Sequence, residues 1–298
     1  MEYIIQTTEL TKKISNKTIV SNINLHIKKG DIYGFIGRNG AGKTTTMKLI
    51  LGLMKPSSGK IQLFNQNNLS VGRKKIGSLI ESPGIYKRLS AYENLKIFSH
   101  IYGGTDEEIH DILKLIGLDH TGKRKAGNFS LGMKQRLGIG IALLGNPEVL
   151  ILDEPINGLD PSAIKEVRDT LLKLNKEKQI TILISSHLLD ELAKITTRYG
   201  IINNGNLIEE IDSNILLARC KNKLEITVDN PSKAIYILQS IYSDLEYQVS
   251  NQTIFLFNHY EHPEQINENL VHHNIQVSEL TFSHDSFEQY FIERIGNE

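Results

Sequence analysis

The sequence predicts an α/β fold built around a phosphate-binding loop, followed by a smaller α+β domain. Three observations carry that prediction. Residues 34–45, Gly-Phe-Ile-Gly-Arg-Asn-Gly-Ala-Gly-Lys-Thr-Thr, are an apolar strand running into a glycine-rich turn and then a helix. Residues 149–152, Val-Leu-Ile-Leu, form a continuous apolar run, as a parallel strand buried on both faces requires, and end in Asp153-Glu154. From Lys223 onward the pattern becomes strand, helix, strand pair, helix, strand, the order βαββαβ.

Composition narrows the class. A chain of 298 residues predicts one large or two smaller domains, and 40% apolar residues can build a core. Lys plus Arg (34) equals Asp plus Glu (34), so no basic excess points to nucleic acid or to an acidic membrane surface. A single cysteine, Cys220, forbids an internal disulfide and fits a reducing compartment. The first residues carry no basic segment followed by an apolar run, and nowhere is there a stretch near the ~20 apolar residues that cross a bilayer. The expectation is a soluble chain whose membrane role, if any, comes through a partner.

In chain order, residues 3–27 alternate around Leu10, Ile14, Ile19, Val20, Ile23, Leu25 and Ile27, with Ser15-Asn16-Lys17 as a turn, which predicts an antiparallel strand pair. The Gly30-Asp31 turn leads to the strand before the glycine-rich loop. Met47, Ile50, Leu51 and Met54 follow at helical spacing, with residues 56–59 (Pro-Ser-Ser-Gly) as the helix end. Residues 60–64 and 74–80 read as strands, and two amphipathic helices lie between residues 90 and 118. Residues 128–136 lead into a helix rich in small residues that runs to Gly145-Asn146-Pro147. Asp160-Pro161 caps a further helix, and residues 180–184 are another buried-type strand ending in Ser185-Ser186-His187. Strands at 223–229, 246–250, 253–257 and 275–282, helices opened by Pro231 and Pro263, and a last helix bearing Phe287, Tyr290, Phe291 and Ile295 complete the chain. His259, His262, His272 and His273 lack cysteine or paired acids at ligand spacing, so they read as solvated positions.

The loop carries the chemistry. Only a turn without side-chain bulk at Gly37, Gly40 and Gly42 can wrap a phosphate with backbone N–H groups, and the helix after it adds its positive end. Arg38, Asn39, Ala41 and Thr45 complete the cradle. Lys43 supplies a point charge for phosphate oxygens and Thr44 a hydroxyl for Mg²⁺. Adjacent acids at the carboxyl end of a buried strand lie where an α/β sheet binds ligands. Histidine at a strand end is commonly solvated, but His187 follows a strand of the same sheet.

With these motifs in place, residues 1 to about 212 resemble the nucleotide-binding subunit of an ATP-binding cassette (ABC) transporter. Residues 37–44, 129–133, 149–154 and His187 follow the family's order, and Gly158-Leu159-Asp160 matches the loop between the last two. The resemblance implies a P-loop NTPase cassette with a mixed sheet core, an antiparallel β subdomain and a helical subdomain at about 88–145. Residues 213–298 would be an accessory α+β domain. It also implies ATP and Mg²⁺, with Asp153 helping to hold the metal, Glu154 polarising the attacking water and His187 contacting the γ-phosphate. Two copies are expected to pair head to tail, so that Ser130 and Gly132 of one complete the site of the other, and Asp160 is expected among the nucleotide-binding residues. The expected location is cytoplasmic, on the inner face of the membrane through a permease.

The sequence departs from the family pattern in three places. The signature loop reads Phe129-Ser130-Leu131-Gly132-Met133 in place of the common Leu-Ser-Gly-Gly-Gln. The position that usually stacks an aromatic on adenine is Ile14, which offers apolar contact alone. Glu81 stands where most cassettes carry a glutamine that reaches Mg²⁺ and water, and it brings a charge while losing the amide donor. By that position Glu81 is expected at the metal and in catalysis, between the Mg²⁺-ATP site and the surface that receives the permease, and an acid there is similar to lantibiotic self-protection cassettes, relatives of the bacitracin-export type. The implied function is an ATP-hydrolysing subunit that drives export or expulsion of an antimicrobial peptide through a separate permease. The alternatives are a cassette ATPase for another substrate and a soluble, non-transport one. A single phosphate loop and the lack of a long coiled-coil insertion between Glu81 and Ser130 argue against translation and repair types.

Overall fold

A computed structural model describes residues 2–66, 68–219, 222–284 and 287–296; Cys220 lies outside them. The chain divides into two compact units, Met1–Ser213 and Asn214–Glu298.

The first unit opens with β1 (Tyr3–Ile14), β2 (Lys17–Ile23) and β3 (His26–Lys28). Three strands replace the expected pair because β1 is long enough for its ends to find different neighbours. Lys12–Ile14 oppose β2, while Tyr3, Ile5 and Gln6 oppose β3, both antiparallel. The wholly buried β4 (Ile32–Ile36) feeds the glycine-rich loop and α1 (Lys43–Leu51). This helix ends at Gly52, whose left-handed backbone (φ 77°) closes it, and not at the later Pro56 stretch. β5 (Ser58–Leu63) then pairs with β1.

The expected strand over 74–80 is shorter. Asn68 accepts a hydrogen bond from the Ser70 amide and starts α2 (Leu69–Arg73), and Lys74 keeps helical geometry, so β6 covers only Ile76–Leu79. Next come α3 (Ala91–Tyr102), α4 (Asp106–Leu115), α5 (Leu131–Leu143), β7 (Val149–Asp153), α6 (Pro161–Lys178) and β8 (Thr181–Ser186). Beyond the elements predicted from the sequence stand α7 (Leu189–Ala193) and the antiparallel pair β9 (Arg198–Asn203) and β10 (Asn206–Asp212). Its signal was present: Asn204-Gly205 form the two-residue turn, both at positive φ.

The central sheet runs β10-β9-β4-β8-β7-β6, parallel throughout from β9 to β6. Tyr33 and Phe35 of β4 pack with Met47 and Ile50 of α1, Ile151 of β7 and Leu183 of β8 in one core. Burial of such side chains contributes roughly 1.5–3 kcal/mol each. Because β8 lies between β4 and β7, the glycine-rich loop, His187 and the two acids all emerge at neighbouring strand ends.

α8 (Ser213–Arg219) leads to the second unit: β11 (Asn222–Val228), α9 (Pro231–Ile241), β12 (Tyr247–Ser250), β13 (Thr253–Leu256), α10 (Pro263–His272), β14 (Val277–His284) and α11 (Phe287–Ile295). The order βαββαβ folds into an antiparallel sheet, β12-β13-β11-β14. Leu224, Ile226, Leu238, Ile254, Leu256, Ile266 and Leu270 form its own core.

Candidate active site

The loop between β4 and α1 can take no bulk at its start: a Cβ on Gly37 would lie 2.4 Å from the Ile202 carbonyl oxygen. Gly42 precedes the helix at φ 111°, a backbone only glycine adopts freely, and no side chain caps α1. The first N–H groups of the helix are thus left for an outside acceptor. Lys43 arches back over the loop, 6% exposed, donating to the Gly37 carbonyl at 2.7 Å and the Arg38 carbonyl at 3.3 Å. A cavity of about 390 Å³ opens here, walled by Asn39, Gly40, Gly42, Lys43, Thr44 and Thr45 with Glu154, Lys17 and Ile19. Arg38 is exposed beside it and Ala41 is buried. Larger cavities of about 570 and 630 Å³ lie among the helices and hold none of these side chains.

The acids stand opposite. Asp153, buried at the end of β7, accepts from Thr44 Oγ1 at 2.8 Å on Oδ2 and from Ser185 Oγ at 2.7 Å on Oδ1. Glu154 has a left-handed backbone (φ 49°). Its Oε2 meets His187 Nδ1 at 2.9 Å and its Oε1 lies 3.3 Å from Lys43 Nζ. That last contact is an ion pair without hydrogen-bond alignment, so Oε1 is a buried oxygen with no hydrogen-bond donor. Loop, acids and histidine therefore lie together at one end of the sheet.

The other expected site residues lie apart from this cluster. Ser130 is the cap of α5, its hydroxyl accepting from the Met133 amide at 3.2 Å, and it remains exposed. Gly132 lets α5 approach α6 closely, since an added Cβ would meet Ala163 Cβ at 2.6 Å. Asp160 caps α6, accepting from the Ala163 amide at 3.0 Å. Ile14 ends β1, 47% exposed. Glu81 does not join Thr44 and Asp153: its exposed carboxylate takes Lys48 of α1 at 2.5 Å, in a left-handed backbone (φ 63°). Sequence reasoning missed Ser185, Lys17 and Ile19. Ser185 carried the same signal as the acids, a polar residue closing a buried strand, but its contact with Asp153 depends on β7 and β8 being neighbours.

A glycine loop beneath an uncapped helix, facing an aspartate buttressed by hydroxyls and a glutamate between lysine and histidine, suits nucleotide phosphate chemistry. Residues 20–157 match the ABC transporter family, and the chain belongs to it as an ATP-binding, ATP-hydrolysing subunit. It is 44% identical to the bacitracin transport ATP-binding protein BcrA of Bacillus licheniformis over 99% of this chain and 98% of that one. It is also 44% identical to the lantibiotic transport ATP-binding protein SrtF of Streptococcus pyogenes, over 67% of this chain and 87% of that one. Among solved structures it is similar to a dimeric ATP-binding cassette in a post-hydrolysis state bound to ADP and Pi, with TM-score 0.63 and 25% identity, covering 70% of this chain and 98% of that one. No described helix is long and apolar enough to cross a membrane.

Proposed function

We propose that this chain powers the removal of a membrane-active antimicrobial peptide, of the bacitracin or lantibiotic kind, through a separate integral-membrane permease on whose inner face it sits. Residues 1–212 act as the nucleotide-binding domain and 213–298 as an accessory domain. The substrate class draws on full-length similarity to a bacitracin transport subunit. The chemistry rests on one observation: the Glu154 carboxylate is held between His187 at 2.9 Å and Lys43 at 3.3 Å at the mouth of the phosphate loop.

In this reading the open N–H groups of α1 and the Lys43 ammonium bind the β- and γ-phosphates, and Ile14 gives adenine apolar support. Glu154 polarises the attacking water, for which its Oε1, ion-paired with Lys43 but accepting no hydrogen bond, has acceptor capacity left, and His187 orients Glu154 and meets the γ-phosphate. The Thr44 hydroxyl and Asp153 carboxylate are a hard oxygen pair suited to Mg²⁺, which takes one or two protein ligands beside phosphates and water. Mg²⁺ would supply neutralisation of the phosphate charge there. Ser130 and Gly132, with Asp160, would complete the nucleotide site of a second copy, making hydrolysis conditional on closure. Glu81 is better suited to linking α1 with the permease-facing segment than to the metal, given its pairing with Lys48.

Glu154→Gln keeps the phosphate cradle and removes the base, so ATP affinity should persist while turnover falls more than about 100-fold. ATP should then hold the protein as a dimer on size exclusion. In cells, the same variant should abolish protection against bacitracin or a lantibiotic, and a permease should co-purify with the wild type. Unchanged protection without a permease would leave the soluble ATPase in its place.

A further inference from the structure

We propose that Ser185, through a single hydroxyl, is the positioning group that fixes both active-site acids. The inference rests on the reading of Glu154 as the carboxylate that polarises water. Parallel register sets Asp153 of β7 directly beside Ser185 of β8, and Ser185 is fully buried. Its Oγ lies 2.7 Å from Asp153 Oδ1 and 2.9 Å from the Glu154 amide nitrogen. A hydroxyl has one proton, and an ionised carboxylate has none to give, so the directions are forced: Ser185 donates to Asp153 and accepts from the Glu154 N–H.

Two consequences follow from those directions. Asp153 is clamped at both oxygens, by Ser185 on one side and Thr44 on the other, and cannot rotate away from the phosphate loop. The Glu154 backbone is held in the left-handed region (φ 49°), where a residue with a Cβ stays only when its surroundings hold it there. That backbone direction aims the Glu154 side chain at His187 and Lys43. The neighbouring serine has no such part: Ser186, equally buried, accepts from the Leu188 amide at 2.9 Å and serves the turn after β8. β8 thus delivers the anchor of both acids at Ser185, and the residue just beyond its end, His187, is the Glu154 partner.

The test uses the full chain with ATP and Mg²⁺ and compares Ser185→Ala, Ser185→Thr and Glu154→Gln. Ser185→Ala removes the hydroxyl without adding bulk. It should lower kcat about 10- to 100-fold, the scale of a sub-ångström to 1 Å misplacement, with KM and nucleotide Kd changed less than about threefold. Ser185→Thr keeps the hydroxyl and should recover most of kcat. Melting temperature of each variant is read alongside. The inference is overturned if Ser185→Ala keeps more than half of the wild-type kcat, or if both serine variants lose activity only in step with a lowered melting temperature. Should Glu154→Gln itself retain turnover, the assignment of Glu154 fails instead, so the two failures are told apart.

Discussion

The helix that follows the glycine-rich loop and the helices that begin at Ser130 and Asp160 open in opposite ways. α1 starts at Gly42 with no side chain over its amides, whereas α5 and α6 are closed by Ser130 and Asp160, each accepting from the amide three residues on. Four orphan N–H groups at a helix start need a partner, and here α1 has no side-chain acceptor for any of them while α5 and α6 each have one, for the amide of Met133 and of Ala163. The difference separates a helix start left open to an outside acceptor from starts that carry a side-chain cap of their own. Ser130 nonetheless stays exposed, so its hydroxyl can serve a second copy without unmaking the helix.

The largest expected effect sharpens that contrast. Ser130→Arg should bring turnover below about a hundredth of wild type, as loss of a charge-stabilising donor does, while ATP binding by the monomer is unchanged. Lost affinity in the monomer would move Ser130 into its own pocket and dissolve the distinction. Lys43→Ala should act in reverse, weakening ATP binding about 10- to 100-fold in an equilibrium titration, because a buried charged donor is removed from the open helix start. Smaller again, Asp160→Ala should cost about 1 kcal/mol of stability in urea unfolding with monomer nucleotide affinity intact, as loss of a helix cap does. The smallest effect concerns α3, where Ser90 and Glu93 form a reciprocal cap. The Ser90 amide, donating to the Glu93 carboxylate, holds its pKa below the ordinary range, with Lys125 adding to this. A lowered carboxyl pKa stabilises the fold fully above the unfolded value, about 4.3, and that contribution is lost as pH falls below it. The melting-temperature gap between wild type and Glu93→Ala should therefore narrow from pH 7 to pH 3; a constant gap would make the cap independent of charge.

Chemistry that is contiguous in the chain was legible from the residues. Residues 37–45 read as a loop between strand and helix because three glycines and a lysine fall within one turn, and Asp153-Glu154 stood out by closing an apolar run. The βαββαβ order of the second unit followed from turn residues and alternation. Strand limits were less legible: Lys74 is as compatible with a helix end as with a strand start, and Asn68 capping decided it. Glu81 shows a similar limit, since its exposed carboxylate pairs with Lys48, 33 residues away, a contact that no spacing along the chain announces.

The sequence by itself determined the phosphate loop, the paired acids, the helix caps and the periodicity of each core, because those depend on residues within a turn or two of one another. Tertiary structure alone decided which strand ends meet. Placing β8 between β4 and β7 puts Ser185 against Asp153 and His187 against Glu154, over separations of 32 and 33 residues. Such contacts are set by the packing of buried strands into one sheet, which couples residues whose local sequences carry no record of each other.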